Sequence, residues 1–348
     1  MPMKLLMRSL PRENNNMKNH SLWYGYKYYR STLTDAEKKI YDAIYDGLKT
    51  YSSEISVPPI SPDKCSKLLD GVSYDTPMFY HVEGYSLVST LFGCKILPRY
   101  RMTEVQYQMC FSQLQVVLDG ILHLCRNGST LDALKTLHDY ILDTIKYEEF
   151  GPNAHSIIGP MLSRKGVCEA ISKFVKIICD QLNIASAVVI GSASERLGMA
   201  EEHHAWNAIQ IANEWYLFDF TFDLTLNESN PCQSIRRYDY FGLSSYEMSI
   251  DHHATVAMFP PCSIKRDYFT LCRAIVHNQN ELQDLIRVKI SLSNRDLAFR
   301  VSNSWFDFVP ENALKRALSV KMALTTGMSI GYTFTYNEQQ RVCYVRFS

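Results

Sequence analysis

Apolar positions along the chain first fall into a helical rhythm at "TLTDAEKKIYDAIYDGLKTY", where Ile40, Tyr41, Ile44, Tyr45 and Leu48 share one face. Thr34 and Glu37 supply the capping-box pair that starts such a helix. The segment "DTPMFYHVEGYSLVSTLFGCKILPRYRM" is rich in aromatic and β-branched residues punctuated by Gly and Pro, which predicts short strands. Tyr80, His81 and Tyr85 then lie on a half-buried sheet face or line a groove. Two helices follow, "TEVQYQMCFSQLQVVLDGILHLC", opened by Thr103 and Gln106, and "STLDALKTLHDYILDTIKY", opened by Ser129. His123 and His138 sit inside their apolar patterns and read as structural histidines.

From about residue 146 the rhythm changes. A loop, "EEFGPNAHSIIGPMLSRKG", leads into a helix that begins at Cys168 and buries Ile171, Phe174, Val175 and Ile178. The segments "ASAVVIG", "HAWNAIQI" and "WYLFDF" then read as consecutive strands, the last two joined by a short turn. A helix followed by strands in succession indicates an α+β fold and not a doubly wound parallel sheet. Further on, "RDYFTLCRAIVHNQNELQDLI" reads as helical. "DLAFRVS", "MSIGYTFTY" and "RVCYVRF" alternate with period two, and Pro310 opens a helix between them. The organisation expected is a mobile tail over 1–22, a helical and extended N-terminal region over 23–125, a central α+β region over 126–260, and a small C-terminal α+β unit over 261–348, a sheet carrying one helix.

Charge adds an exclusion. Thirty-six basic residues balance thirty-six acidic ones, so no overall field recruits nucleic acid or an anionic membrane. No apolar run approaches the ~18 residues of a membrane span, and Lys4 and Arg8 interrupt the apolar start, so no secretory signal is read. A cytoplasmic protein without nucleic-acid or membrane partners is expected. The ten cysteines are irregularly spaced and mostly inside apolar segments, the pattern of buried free thiols. Without a C-x-x-C pair or a D-x-D-x-D-G loop, neither a zinc site nor a calcium loop is expected, and no cofactor is implied.

Cys168 differs from the other thiols by its position. A helix N-terminus favours an anion, and the thiolate is the nucleophilic form of cysteine. Gly166 allows a tight approach into the helix, whereas Cys179, just past the apolar run, is placed to be packed. A catalytic thiol also needs a base and a group that orients it. If Ala212 and Asn213 form a two-residue turn, position 204 lies opposite 221, so side chains 204, 219, 221 and 223 share a face. His204 then has Asp219 and Asp223 as diagonal neighbours, and His203 points the other way.

"GVCEAISKFVKIICDQLNI" followed by "HAWNAIQIANEWYLFDFTFD" resembles the core of the transglutaminase-like superfamily, with its Gly-x-Cys at a helix start, His-Ala-Trp strand and Asp-x-Thr after a Trp-Tyr strand. The resemblance extends to "AHSIIGPMLSRKGVC" and "YDYFGLSSYEMSIDHH", which are similar to segments of bacterial transglutaminase-domain proteins, and covers most of residues 25–260. It implies a papain-like cysteine protease type of core with Cys168 as nucleophile, His204 as general base and acid, and Asp219 as the orienting carboxylate. The chain departs from the family at Glu169, Ala170 and Ile171, where x-Gly-Tyr or x-Gly-Phe is common, and at Phe220 and Phe222 within Asp-Pro-Thr-Trp-Asp. Those changes leave the three chemical groups intact and bear on substrate preference.

The activity expected is acyl transfer from an amide of a protein or peptide through a thioester, to water or to an amine. The backbone N–H of Cys168 is the first candidate for the oxyanion, with His155 as a second, and Trp206 and Trp215 either wall an acyl channel or pack in the core. Two rivals stand beside this expectation. One is an inactive module of the same fold that binds peptides or glycans in an aromatic groove, and the other is an arylamine acetyltransferase-like enzyme with an acyl-coenzyme donor.

Overall fold

The computed structural model describes residues 23–126, 128–194, 199–255, 267–292, 294–325 and 331–348. The tail expected over 1–22, the boundary at 260/261 and Cys262 lie outside the described residues.

The first elements are α1 (Tyr28–Thr32), α2 (Asp35–Lys49), β1 (Ile55–Val57), α3 (Pro62–Asp75), β2 (Val82–Ser89) and β3 (Cys94–Tyr100). Thr34 and Glu37 form the capping box of α2, and an N-cap of this kind contributes about 1 kcal/mol. The three strands make an antiparallel sheet in the order β1-β3-β2. His81 is buried just before β2, against Tyr51, Tyr100 and Tyr107, so it belongs to packing. Two helices follow, α4 (Glu104–Cys125) and α5 (Thr130–Thr144), both with capping boxes, the second between Ser129 and Asp132.

The central elements are β4 (Lys146–Tyr147), β5 (Lys165–Gly166), α6 (Cys168–Gln181), β6 (Ser186–Ala193), β7 (Glu202–Ile211), β8 (Glu214–Phe218), α7 (Phe220–Glu228), β9 (Phe241–Leu243), α8 (Ser245–Met248) and β10 (His252–Ala254). Five of the strands form an antiparallel sheet in the order β10-β6-β7-β8-β9. Ala212 and Asn213 do form the two-residue turn between β7 and β8, both with positive φ, and Ile211 pairs with Glu214. This is the primed turn whose twist suits a hairpin.

One hydrophobic core runs from α2 through α4, α5 and α6 to Ile209, Ile211, Tyr216 and Phe218 of the sheet. Trp206, Ala208, Trp215, Phe222 and Tyr240 pack in a second cluster. The two tryptophans are therefore core residues rather than walls of a channel.

The C-terminal part holds α9 (Tyr268–Leu271), β11 (Ile275–Val276), α10 (Gln279–Ser291), β12 (Asp296–Val301), α11 (Pro310–Thr325), β13 (Tyr332–Asn337) and β14 (Val342–Phe347). Its sheet has the order β11-β12-β14-β13. The long helix expected from residue 266 is corrected. Ile275 and Val276 pair in parallel with Arg300 and Val301, and the helix begins only after Asn278, whose side chain caps Asn280 N and Glu281 N. The sheet thus carries two longer helices, α10 and α11, where one was expected. No helix among the described residues is long and apolar enough to cross a membrane.

Candidate active site

Cys168 is the first residue of α6, after Val167, which offers no side-chain cap. The first-turn N–H groups of a helix lack intrahelical partners, so they face whatever occupies that end. Ile171, Phe174, Val175 and Ile178 are fully buried and fix the helix in the core, each worth roughly 1.5–3 kcal/mol of burial. Space at Gly166 is tight: a Cβ there would meet Ala170 Cβ at 3.1 Å and Pro160 Cδ at 3.2 Å, so these neighbours would have to give by a few tenths of an ångström. Cys179 is fully buried, and burial pushes its thiol up to about 12.

His204 lies near the start of β7, paired with Gly191 of β6. Its Nε2 donates to Asp219 Oδ2 at 2.6 Å, and its side chain is 9% exposed. With Nε2 committed, Nδ1 is the nitrogen left for Cys168. Burial opposes the charge on this ring, yet the Asp219 carboxylate, helped by a hydrogen bond and charge interaction with Cys168, raises His204 to about 10. The structure thus brings Cys168, His204 and Asp219 together.

The parity that placed Asp219 and Asp223 on one strand face holds only in part. β8 ends at Phe218, and Asp219 is the N-cap of α7, its Oδ1 accepting from Thr221 N at 2.9 Å and Phe222 N at 3.0 Å. Asp219 remains diagonal to His204, but Thr221 and Asp223 belong to the helix. Asp223 pairs instead with His138 Nε2 at 3.1 Å and accepts from Tyr240 N. The Asp219 carboxyl lies well below its usual range: His204 and His252 outweigh the burial that opposes its charge.

His252 and Asp251 were not singled out from the sequence. His252 Nε2 is 2.9 Å from Asp219 Oδ2, and its Nδ1 is 2.5 Å from Asp251 Oδ1. The sequence signal was slight, an Asp-His pair within "YEMSIDHH". His155, the second oxyanion candidate, is largely exposed and pairs with Glu169 at 3.0 Å. His203 is exposed, on the opposite side from His204.

Two cavities lie nearby. One of about 380 Å³ is lined by His204, Thr221, Phe222 and Tyr147. The other, of about 720 Å³, is lined by Tyr80, Arg101, His155, Glu169 and Lys173. Among the described residues, His204, Asp219 and His252 are the group close enough to consider as metal ligands. Their contacts of 2.6 and 2.9 Å are hydrogen-bond lengths, shorter than the ~3.3 Å separating two ligand atoms around a tetrahedral zinc.

Residues 124–220 match the family described as the transglutaminase-like superfamily. The fold is α+β with a transglutaminase-like core, and that matched segment contains Cys168, His204 and Asp219. No curated protein matches the chain. The solved structures similar to this chain include three at low identity. The first is a TGase, at 12% identity and TM-score 0.29, covering 48% of this chain and 50% of its own. The second, provisionally named a cysteine protease, comes from Cytophaga hutchinsonii, at 15% identity and TM-score 0.27, covering 40% and 66%. The third, provisionally named a protease, comes from Parabacteroides distasonis, at 10% identity and TM-score 0.24, covering 39% and 35%. The chain thus spans half the length of the TGase structure.

Proposed function

We propose that the protein is a transglutaminase-like cysteine enzyme that acts on amide bonds of proteins or peptides through Cys168, His204 and Asp219. The observation that carries this reading is a histidine held by a buried carboxylate at 2.6 Å that also interacts with the thiol of Cys168 at a helix start. Cys168 Sγ attacks the amide carbonyl carbon, and the oxygen's developing charge meets first-turn N–H groups of α6. His204 gives its proton to the departing nitrogen as the C–N bond breaks, leaving a thioester. Water then attacks, His204 takes its proton, and the thiol and a carboxylic acid are released. An amine in place of water gives a new amide. Hydrolysis is the simpler outcome, because water needs no dedicated acceptor site.

Nine cysteines are free among the described residues, including the exposed Cys272, which supports a reducing, cytoplasmic setting. The test is release of ammonia or amine from glutamine-containing peptides, with and without an added primary amine. Wild type is expected to turn over and Cys168→Ala to lose activity entirely. Equal turnover by both proteins would overturn the assignment, and no turnover by folded wild type across a broad peptide set would favour the binding module.

A further inference from the structure

His252 opens β10 opposite Ala193 of β6, and its side chain is completely buried. Each ring nitrogen meets a carboxylate oxygen, Asp219 Oδ2 at 2.9 Å and Asp251 Oδ1 at 2.5 Å. An ionised carboxylate only accepts, whereas a neutral imidazole has one N–H and one lone pair. A neutral ring would therefore turn its lone pair toward one of these oxygens in a buried site, where an unmade hydrogen bond is costly. Protonating a carboxyl instead would disturb its other contacts. Asp219 already accepts from His204 and two backbone N–H groups. Asp251 Oδ2 accepts from Tyr240 Oη at 2.8 Å and Gln340 Nε2 at 3.0 Å.

We propose that His252 is a standing imidazolium, clamped between Asp219 and Asp251, and acts as a positioning residue that tempers the pull of Asp219 on His204. This deepens the triad reading and rests on it for its catalytic consequence. One oxygen of Asp219 serves two cationic rings, so its attraction is divided between them. His204 is then a weaker base than a lone carboxylate would make it, and releases its proton more readily to a leaving amine. Among the described residues, four titratable groups face His252: His204 from β7, Asp219 from the start of α7, Tyr240 ahead of β9, and Asp251 beside it. Burial opposes charge on this ring, but the two carboxylates raise its affinity for protons above the ordinary value.

The far end of the chain of contacts is held by the C-terminal sheet. Gln340, in the turn between β13 and β14, donates both to Asp251 and to Glu247 O at 3.1 Å. The C-terminal unit thereby fixes the outer carboxylate of an array running Cys168, His204, Asp219, His252, Asp251.

The experiment uses the full chain with ¹⁵N-labelled histidine, recording long-range ¹H–¹⁵N spectra of the rings from pH 6 to 9. The His252→Gln spectrum assigns the His252 signals, and Asp251→Asn serves if that variant does not fold. Both His252 nitrogens are expected to remain protonated at pH 8.5, in wild type and in Cys168→Ala alike. A deprotonated nitrogen at pH 8.5 overturns the proposal, whatever the activity assays give. For the positioning role, the pH profile of Cys168 alkylation is compared across variants. Removing the cation leaves nearby negative charge less balanced, so His252→Gln is expected to move the profile upward by half a pH unit or more, whereas Asp251→Glu, which keeps both charges, should leave it unmoved. Slower alkylation at every pH with an unmoved midpoint would mean that His252 is merely structural.

Discussion

The Asn207 side-chain amide of β7 donates to Ser172 O of α6 at 3.0 Å, and Ser172 Oγ in turn donates to Ala205 O at 3.0 Å. These two buried bonds tie the helix that begins with Cys168 to the strand that carries His204, one turn from the sulfur on one side and one residue from the imidazole on the other. Catalytic geometry is lost with displacements of about 1 Å, so the tie matters beyond its energy. Ser172→Ala removes the hydroxyl and leaves Ala205 O short of a donor, which should cost about 1–3 kcal/mol. Urea denaturation checks the stability, and Cys168 alkylation in the folded variant checks the alignment; both are expected to fall.

Reactivity should separate the cysteines of the folded chain. Cys179 is sealed in the core, Cys272 is exposed on the surface, and Cys168 stands beside a protonated His204. Peptide mass spectrometry after iodoacetamide at pH 7 is expected to find Cys168 labelled faster than Cys272, and Cys179 unlabelled. His204→Ala should slow Cys168 by about tenfold or more, because thiolate reactivity follows its charged partner, and should leave Cys272 unchanged. A Cys168 rate independent of residue 204 would remove the basis for a coupled pair.

The raised pKa of His204 makes a directional statement about stability. A group whose folded value lies above its unfolded one contributes fully below the unfolded value and loses that contribution as pH climbs through the folded one. For His204 the window runs from 6.5 to about 10. The stability difference between wild type and His204→Gln, measured by urea midpoints, is therefore expected to be largest below pH 6.5 and to shrink toward pH 10. A difference constant over that range would mean that the ring does not carry the charge.

How much of this was legible in the sequence depends on the reach of each interaction. Capping pairs at Thr34 and Thr103 and the N-cap at Ser129 are contained within four residues, and the Ala212-Asn213 turn within a hairpin, so local chemistry announced them. Asp223 was a candidate beside Asp219 because a strand was extended past Phe218, whereas the Asp219 carboxylate caps the next helix and ends the strand there. Local capping decided what period-two parity could not. His252 reaches Asp219 from 33 residues away and Gln340 reaches Asp251 from 89, and no periodicity encodes such distances. The misread stretch around Ile275 has the same cause, since its pairing with β12 is a tertiary contact that overrides local helical preference.

Two glycines should respond oppositely to alanine. A Cβ at Gly191 would lie 2.1 Å from His253 O and 2.7 Å from Trp206 Cη2, so β10 or the tryptophan must shift. Overpacking of this kind costs roughly 1–3 kcal/mol, and here it also displaces the strand that begins with His252. Gly120, exposed within α4, has nothing within 4 Å of the added carbon. Gly120→Ala should stabilise by about 0.5–1 kcal/mol. Thermal melting of the two variants gives the contrast, and a destabilised Gly120→Ala would contradict it.

Thr221 separates fold from function most sharply. It is 2% exposed, lines the cavity beside His204, and its Oγ1 has no hydrogen-bond partner among the described residues. A buried hydroxyl without a partner adds nothing to stability, and replacing it by an apolar group of the same shape is near neutral or favourable. Thr221→Val keeps the β-branched shape and the backbone N–H that Asp219 caps. Its melting temperature is therefore expected to equal or exceed that of wild type. The Oγ1 itself is buried away from the cavity, so turnover of peptide amides is expected to stay at the wild-type level. Unaltered turnover and stability together would assign Thr221 to shape alone and move the search for substrate contacts to the larger cavity beside Glu169.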